Sequence, residues 1–346
     1  MVGQITTRIA EAHDKERMLA FLAAHWRADH IFVLAPDVFD WQYQKPDGGY
    51  HIALALDEDD TVLGFLGYIP TGQFDPDLGC DDIMLAVWKV REDMALPGVG
   101  LRLLKLIEKT HKPRVIGAIG ISDMVGPIYK AFKYTLGQLH HAALFADGTH
   151  AGEIAVNVPD VAGAPVPKDS ATLGPILPAH SEAVARIAQG PGLAKSWTYL
   201  QNRYVNHPYY DYDLRGVFQG DDLQCVIVWR KVDVNDTAIL RIVDVIGPPA
   251  GLAQVSEALR GDLHDAGADY IDILQTGLDA DGLRAAGFVS PADHPDLILP
   301  NFFAPFVASN VTIKLAYRDF ETPGRTLTLF RADSDQDRPN LISELD

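Results

Sequence analysis

Cysteine is scarce in this chain of 346 residues: Cys80 and Cys225 are far apart, one in each half. Neither has the Cys-x-x-Cys spacing of a metal or redox site, and both read as small core residues of a reduced, cytoplasmic protein. Positive charge is scarce too, with 29 Lys and Arg against 47 Asp and Glu and a net charge of −18. That balance argues against nucleic acid or anionic membrane as a partner and leaves room only for a local basic pocket. No run of 18 apolar residues occurs, and the opening MVGQITTRIAEAHDKERM is charged, so neither a membrane helix nor a signal peptide is expected. The histidines, His140-His141 included, lack an H-x-x-x-H spacing, so no metal site is expected. No Gly-Lys-Ser/Thr is present to make a P-loop, and no third glycine with a downstream acid completes a dinucleotide fingerprint.

The hydrophobic content of 47% and charged content of 22% are those of a soluble globular protein, and the length calls for two domains. The most informative stretch is Asp81 to Glu108, DDIMLAVWKVREDMALPGVGLRLLKLIE. Ile83 to Val90 is a nearly continuous apolar run, the pattern of a strand buried on both faces. Pro97, Gly98, Val99 and Gly100 form a tight loop, and Leu101, Leu103, Leu104 and Ile107 then repeat with helical spacing. Gly98 and Gly100 carry no side chains where the first N–H groups of the helix point outward. Such an end binds anions, and a pyrophosphate is its natural ligand.

In chain order, the first half reads as a short strand (7–10), an amphipathic helix (13–26), an aromatic segment (29–43), a hairpin (50–56 and 61–69), the strand–loop–helix above, a strand (114–122), a helix (124–132) and a closing strand pair (134–145 and 152–158). Residues 159–174, poor in large apolar side chains and rich in Pro, Ala and Gly, read as a linker. The second half repeats this order: a helix (179–187), an aromatic segment (197–212), a hairpin (214–218 and 223–231), a strand (238–246), the loop Gly247-Pro248-Pro249-Ala250-Gly251, a helix (252–263), a strand (270–274) and a helix and turn (282–288). The expectation is therefore an α/β chain of two similar domains, residues 1–158 and 175–346, joined by 159–174.

That order, the Gly98/Gly100 loop and Tyr129 together resemble the GNAT acyltransferase superfamily. Its pyrophosphate motif, R/Q-x-x-G-x-G/A, falls on Ala95-Leu96-Pro97-Gly98-Val99-Gly100, with Ala95 at the polar position. Its later Y-x-x-x-G-F falls on Tyr129 to Tyr134, and the second half keeps Gly287-Phe288 with Leu283 at the tyrosine position. The aromatic insert with Asn206-His207-Pro208 and the tail Asp333 to Asn340 look like the tandem-GNAT N-acyltransferases that modify nucleotide-linked amino sugars for bacterial surface polysaccharides. The resemblance implies two GNAT-like domains, each a mixed, mostly antiparallel sheet flanked by helices. It also implies an acyl-CoA donor with an acetyl or 3-hydroxybutyryl group and a dTDP- or UDP-linked aminosugar acceptor.

On that resemblance, Val90, Arg91, Pro97, Gly98, Val99, Gly100 and Leu101 would hold coenzyme A, with a backbone N–H near Val90 or Arg91 facing the thioester oxygen. Tyr129 would protonate the leaving thiolate; otherwise it is a core aromatic. His30, His207, Glu92 and several aspartates are candidate bases. Proline cannot donate to a phosphate, so the Gly247–Gly251 loop is expected to bind no coenzyme A, and the second domain to hold the acceptor. Trp41, Tyr43, Arg203, Tyr204 and Tyr209 would face a nucleotide or sugar, or simply pack with their aromatic neighbours. Asp335, Gln336, Asp337 and Arg338 mix charges and amides in the way sugar hydroxyls and amines favour. Nothing in the sequence sets an oligomeric state. Rival readings are a non-catalytic acyl-CoA or nucleotide-sugar sensor and a tandem-GNAT aminoacyl transferase using charged transfer RNA, against which the acidity counts.

Overall fold

The computed structural model describes residues 4–94, 96–146, 154–234, 236–303 and 305–345. Ala95 and Gly152, both used in the sequence reading, lie outside these. The chain divides into two compact units. One comprises Met1–Thr135, Ala316–Gly324 and Arg338–Asp346; the other comprises Leu136–Leu315 and Arg325–Asp337.

The first unit contains β1 (Thr6–Ile9), α1 (Lys15–His25), α2 (Ile31–Leu34), α3 (Pro36–Tyr43), β2 (Ile52–Leu56), β3 (Val62–Pro70), β4 (Asp82–Val90), α4 (Val99–His111), β5 (Val115–Ile119) and α5 (Gly126–Ala131). Strands β1 to β4 are antiparallel neighbours in sequence order, and β5 lies parallel to β4. The β2–β3 hairpin is set by its acidic tip: Asp57 Oδ1 accepts from the N–H of Asp59 and Thr61, and Asp60 takes a left-handed φ of 59°. The apolar residues of α4, namely Val99, Leu103, Leu104 and Ile107, are buried against Leu63, Leu66, Ile83 and Leu85 of the sheet, as their spacing requires.

The second unit starts within β6 (Thr135–Gln138) and continues with β7 (His140–Phe145), β8 (Thr172–Pro175), α6 (Ser181–Ile187), α7 (Trp197–Leu200), β9 (Asp213–Gln219), β10 (Asp222–Val234), β11 (Thr237–Ile246), α8 (Ser256–Asp265), β12 (Tyr270–Thr276) and α9 (Ala280–Ala285). A small hairpin, β13 (Phe302–Phe303) and β14 (Phe306–Val307), precedes β15 (Lys314–Asp319) and β16 (Leu329–Phe330). The sheet order is β16-β12-β11-β10-β9-β8, with β7 also on β12.

Two features of this layout were not legible from the order of elements. β7, which the sequence reading assigns to the first half, pairs with β12 over Tyr270↔Phe145 to Gln275↔His140, while the Ala316–Asp319 part of β15 belongs to the first unit. The stretch 159–174 is also built into the second unit rather than spanning as a linker. Ala162 is fully buried, Val166 packs on the core, Asp169 caps α8, and β8 begins at Thr172. The last strand, β16, has only two residues.

Candidate functional site

In the first unit, β5 pairs with β4 only over Asp82–Leu85. The β3 partners of β4 pass from Tyr68↔Leu85 to Leu66↔Trp88, so β4 carries one extra residue there, a bulge that bends it. Beyond Leu85, β4 therefore runs on with no strand on its β5 side among the described residues. The Arg91 N–H donates to Leu63 O at 3.0 Å, toward β3. Alternation along an antiparallel strand then turns the N–H groups of Val90 and Trp88 to the opposite side, toward the gap. Of the two residues expected to offer an N–H, Val90 does and Arg91 does not.

The gap is a cleft of about 640 Å³ lined by Trp88, Lys89, Val90, Glu92, Leu96, Gly98, Gly100 and Leu101 on one side and by Val125, Pro127, Ile128, Ala131 and Phe132 of the α5 segment on the other. Gly98, the residue before α4, has φ 73°, a conformation that favours glycine, and it has no side chain to cap the helix. The N–H groups of Gly100 and Leu101 in the first turn are thus left open to the cleft. Gly100 is required on a second ground: a Cβ there would stand 2.9 Å from Trp88 Nε1. Pro97 is exposed and Val99 is buried in the core; neither lines the cleft.

Tyr129 sits on α5 and is 1% exposed. Its ring meets Trp88 edge-on at 5.9 Å and Tyr134 at 5.0 Å. It is a core residue beside the cleft and is not part of the lining. Burial pushes its phenol well above the usual range, so the hydroxyl stays protonated. The helix turn after it matches the expected motif in conformation. Lys133, at the glycine position, adopts φ 62°, and Tyr134 N–H closes onto Tyr129 O.

The two histidines have local structural work. His30 is the N-cap of α2, its Nδ1 accepting from Phe32 N–H at 3.2 Å; burial, then Arg338 and Arg27, push it down to about 3. His207 Nδ1 accepts from the N–H of Tyr209 and Tyr210, and burial, then Arg203, push it down to about 3. Rings held neutral this way and hydrogen-bonded to backbone are poor general bases, which counts against the expectation for both. Glu92, the carboxylate in the cleft lining, is the remaining candidate; it pairs with Lys89 at 2.6 Å.

The expected acceptor residues are largely committed internally. Tyr43 is fully buried among Phe32 and Phe39, and Trp41 lies against Phe74. In the second unit Tyr204 donates to Asp244 Oδ2 at 2.6 Å, and Arg203 is buried with its guanidinium on the carbonyls of Ala332 and Asp337. Asp337 accepts from Tyr212 at 2.6 Å and pairs with Arg230 at 2.9 Å; burial opposes ionisation, but Arg230 and Arg331 hold its carboxyl below the usual range. Tyr209, Asp335 and Gln336 are half-buried, and Arg338 lies 4.7 Å over the Phe32 ring.

The second unit repeats the geometry and closes it. β11 carries the same bulge, its partners passing from Val228↔Asp244 to Trp229↔Ile242, and it is parallel to β12 only over Leu240–Ile242. Gln275 of β12 pairs with both His140 of β7 and Phe330 of β16. One residue reaches two strands only across its two edges, so β16 lies on the β11 side, in the gap. Behind it, Lys195 Nζ stands 2.7 Å from both oxygens of Asp244 and 2.7 Å from Asp333 Oδ1, the latter an ion pair without hydrogen-bond alignment. At the helix start, the N–H groups of Glu257 and Ala258 are taken by the Asp169 carboxylate at 2.8 and 2.9 Å. The Gly247–Gly251 loop leads into a 3-10 turn, and Gly251 is a packing glycine whose Cβ would lie 2.4 Å from Cys225 Sγ. A cleft of about 310 Å³ remains beside Lys195, Gly247 and Phe330.

Sequence reasoning named Glu92 among its candidate bases without a ground for choosing it, and missed the α5 wall of the cleft. The signal for that wall was present as apolar residues on the outer face of a short helix, such as Ile128, which is 39% exposed. Among the described residues, no group of three His, Cys, Asp or Glu is placed to hold a metal, and no helix is long and apolar enough to cross a membrane.

Comparison with solved structures places the fold. A GCN5-related N-acetyltransferase from Anabaena variabilis ATCC 29413 superimposes with a TM-score of 0.57 at 12% identity, covering 91% of this chain and 73% of that one. A conserved protein from Enterococcus faecalis V583, described as a probable N-acyltransferase, gives 0.53 at 10% identity over 92% and 73%. The architecture is two GNAT-like domains, each a mixed, mostly antiparallel sheet flanked by helices. No protein-family model and no curated protein matches the sequence.

Proposed function

We propose that the protein is an acyl-CoA-dependent N-acyltransferase that binds one acyl-CoA per chain, in the cleft of the first unit. The observation that carries this is the contrast between the two units. In the first, a bulged strand turns N–H groups into an open cleft beside an uncapped helix start. In the second, β16 fills the corresponding gap and Asp169 caps the corresponding helix.

In this reading the N–H groups of Gly100 and Leu101 receive the pyrophosphate, and the apolar walls at Trp88, Leu101 and Phe132 take the pantetheine arm. The Val90 N–H donates to the thioester oxygen as it gains charge, a contact worth about 3 kcal/mol in comparable oxyanion sites. The acceptor nitrogen attacks the carbonyl carbon; the C–N bond forms, the C–S bond breaks and its electron pair leaves on sulfur. The nitrogen's surplus proton passes to Glu92 and on to solvent, and the thiolate takes one through water from Tyr129, which stands beside the cleft behind Trp88 and is reprotonated from solvent, giving amide and free thiol. The acceptor is the amine of a dTDP- or UDP-linked aminodeoxysugar, a specificity that rests on the sequence resemblance alone, and the acyl group is acetyl or 3-hydroxybutyryl.

A second reading, a binding module that senses acyl-CoA without turnover, is favoured by the commitment of His30 and His207 to backbone caps. The test is release of free thiol from acetyl-CoA and 3-hydroxybutyryl-CoA with a panel of dTDP-3-amino and dTDP-4-amino sugars and simple primary amines. Acceptor-dependent release supports the enzyme and names both substrates. Binding of CoA with no release from any pair would leave the sensor.

A further inference from the structure

We propose that Lys105 is the phosphate-positioning side chain of the first unit's cleft and that its partner is the 3′-phosphate of coenzyme A. This rests on the acyl-CoA reading and goes beyond it by assigning recognition of a third phosphate to a residue outside the Gly98–Gly100 loop.

Charge distribution is the first observation. The chain carries a net −18, yet from Pro97 to Lys133 there are seven Lys and Arg against only Glu108 and Asp123. A cationic stretch in so acidic a protein, on the same segment that supplies both walls of the cleft, fits a polyanionic ligand. The second observation is what the loop lacks. Position 95 is alanine, and Pro97, Gly98 and Gly100 offer backbone alone, so the cleft's phosphate charge must come from elsewhere. The one cation in the cleft lining, Lys89, is already paired with Glu92 at 2.6 Å, and Arg114, at the far end of β4, is taken by Asp82.

Lys105, like Arg102, is in none of the ion pairs among the described residues, and what sets it apart is that its Nζ is held 5.5 Å over the ring of Phe132, a residue of the cleft wall. It lies five residues beyond Gly100, so about 7.5 Å further along α4. A phosphate bound at the helix start is thus out of register with it, whereas a second phosphate on the ribose of the same nucleotide falls within reach of its flexible stem. The aromatic contact holds the ammonium at the rim without neutralising it.

The experiment compares CoA and 3′-dephospho-CoA binding, by calorimetry, in the wild type, Lys105→Ala and Lys105→Arg. Lys105 is exposed, so neither change threatens folding. The wild type should prefer CoA by about tenfold, as for loss of one charge-assisted contact. Lys105→Ala should lose that preference while holding dephospho-CoA as before, and Lys105→Arg should keep most of it. Equal weakening of both ligands, or no weakening of either, overturns the assignment. Failure of the wild type to bind either nucleotide would instead overturn the acyl-CoA reading itself.

Discussion

Replacing Lys195 with methionine tests whether the gap of the second unit is held closed by buried charge. Lys195 is 7% exposed and touches two carboxylates at 2.7 Å, and Tyr204 donates to one of them. Each pair has a gross attraction of about 6 kcal/mol at an effective dielectric of 20, most of it offset by desolvation. Removing the cation leaves Asp244 and Asp333 buried without it, a change that typically costs about 3–5 kcal/mol. Proton uptake softens this. Burial raises the Asp333 carboxyl, Lys195 opposes the rise and Asp244 adds to it, with the result near 6. Without Lys195 it climbs further. A carboxyl raised in the folded state favours folding at low pH and loses that contribution as pH rises through its folded value. The deficit of the variant should therefore be largest at pH 8 and shrink by about 1.4 kcal/mol per unit toward pH 6. Urea unfolding across that range measures it, and amide exchange at Leu329–Asp333 shows whether β16 loosens. Adding Asp333→Asn should recover part of the loss. A deficit below about 1 kcal/mol and flat with pH would refute the argument that Lys195 pins this segment.

Titration with CoA should give one site per chain by calorimetry; two equal sites would mean that β16 and Asp169 yield to ligand. Tyr129→Phe should lower kcat by about 100-fold with CoA affinity unchanged if the phenol is the proton donor, whereas an unchanged kcat assigns Tyr129 to packing behind Trp88. Glu92→Gln should likewise lower kcat, by about tenfold to a hundredfold, with CoA affinity unchanged; an unaltered kcat removes it as the base. Acidification should destabilise the first unit. Burial first, then neighbouring cations, hold His30 near 3, and burial, then His111 and Lys45, hold His51 near 3, so both contribute stability above pH 6.5 that fades as pH falls toward 3. At pH 5 each is worth about 2 kcal/mol less than at neutrality. His30→Gln, an amide that can still accept from Phe32 N–H, should remove its share of that pH dependence, as read from melting temperatures.

The parts of this protein legible in its sequence are those encoded by local periodicity and local turn chemistry. The apolar run from Ile83 to Val90, the Gly98/Gly100 turn and the spacing of Leu103, Leu104 and Ile107 specify a buried strand, a left-handed N-cap and an amphipathic helix with little help from the rest of the chain. The two prolines after Gly247 likewise mark a loop with fewer N–H groups to offer a phosphate. Other properties depend on what meets what. Val90 and Arg91 are adjacent and similar in pattern, and only the register with Leu63 decides which N–H faces the cleft. The internal partners of His30, His207, Tyr204 and Asp337 were not legible, because a polar or aromatic side chain looks the same in sequence whether it faces a ligand or a buried partner, and helix caps and ion pairs between residues far apart in the chain are tertiary facts. β7 joins β12, and β16 enters the gap beside it, because unpaired strand edges and buried apolar faces are satisfied in three dimensions, without regard to order along the chain.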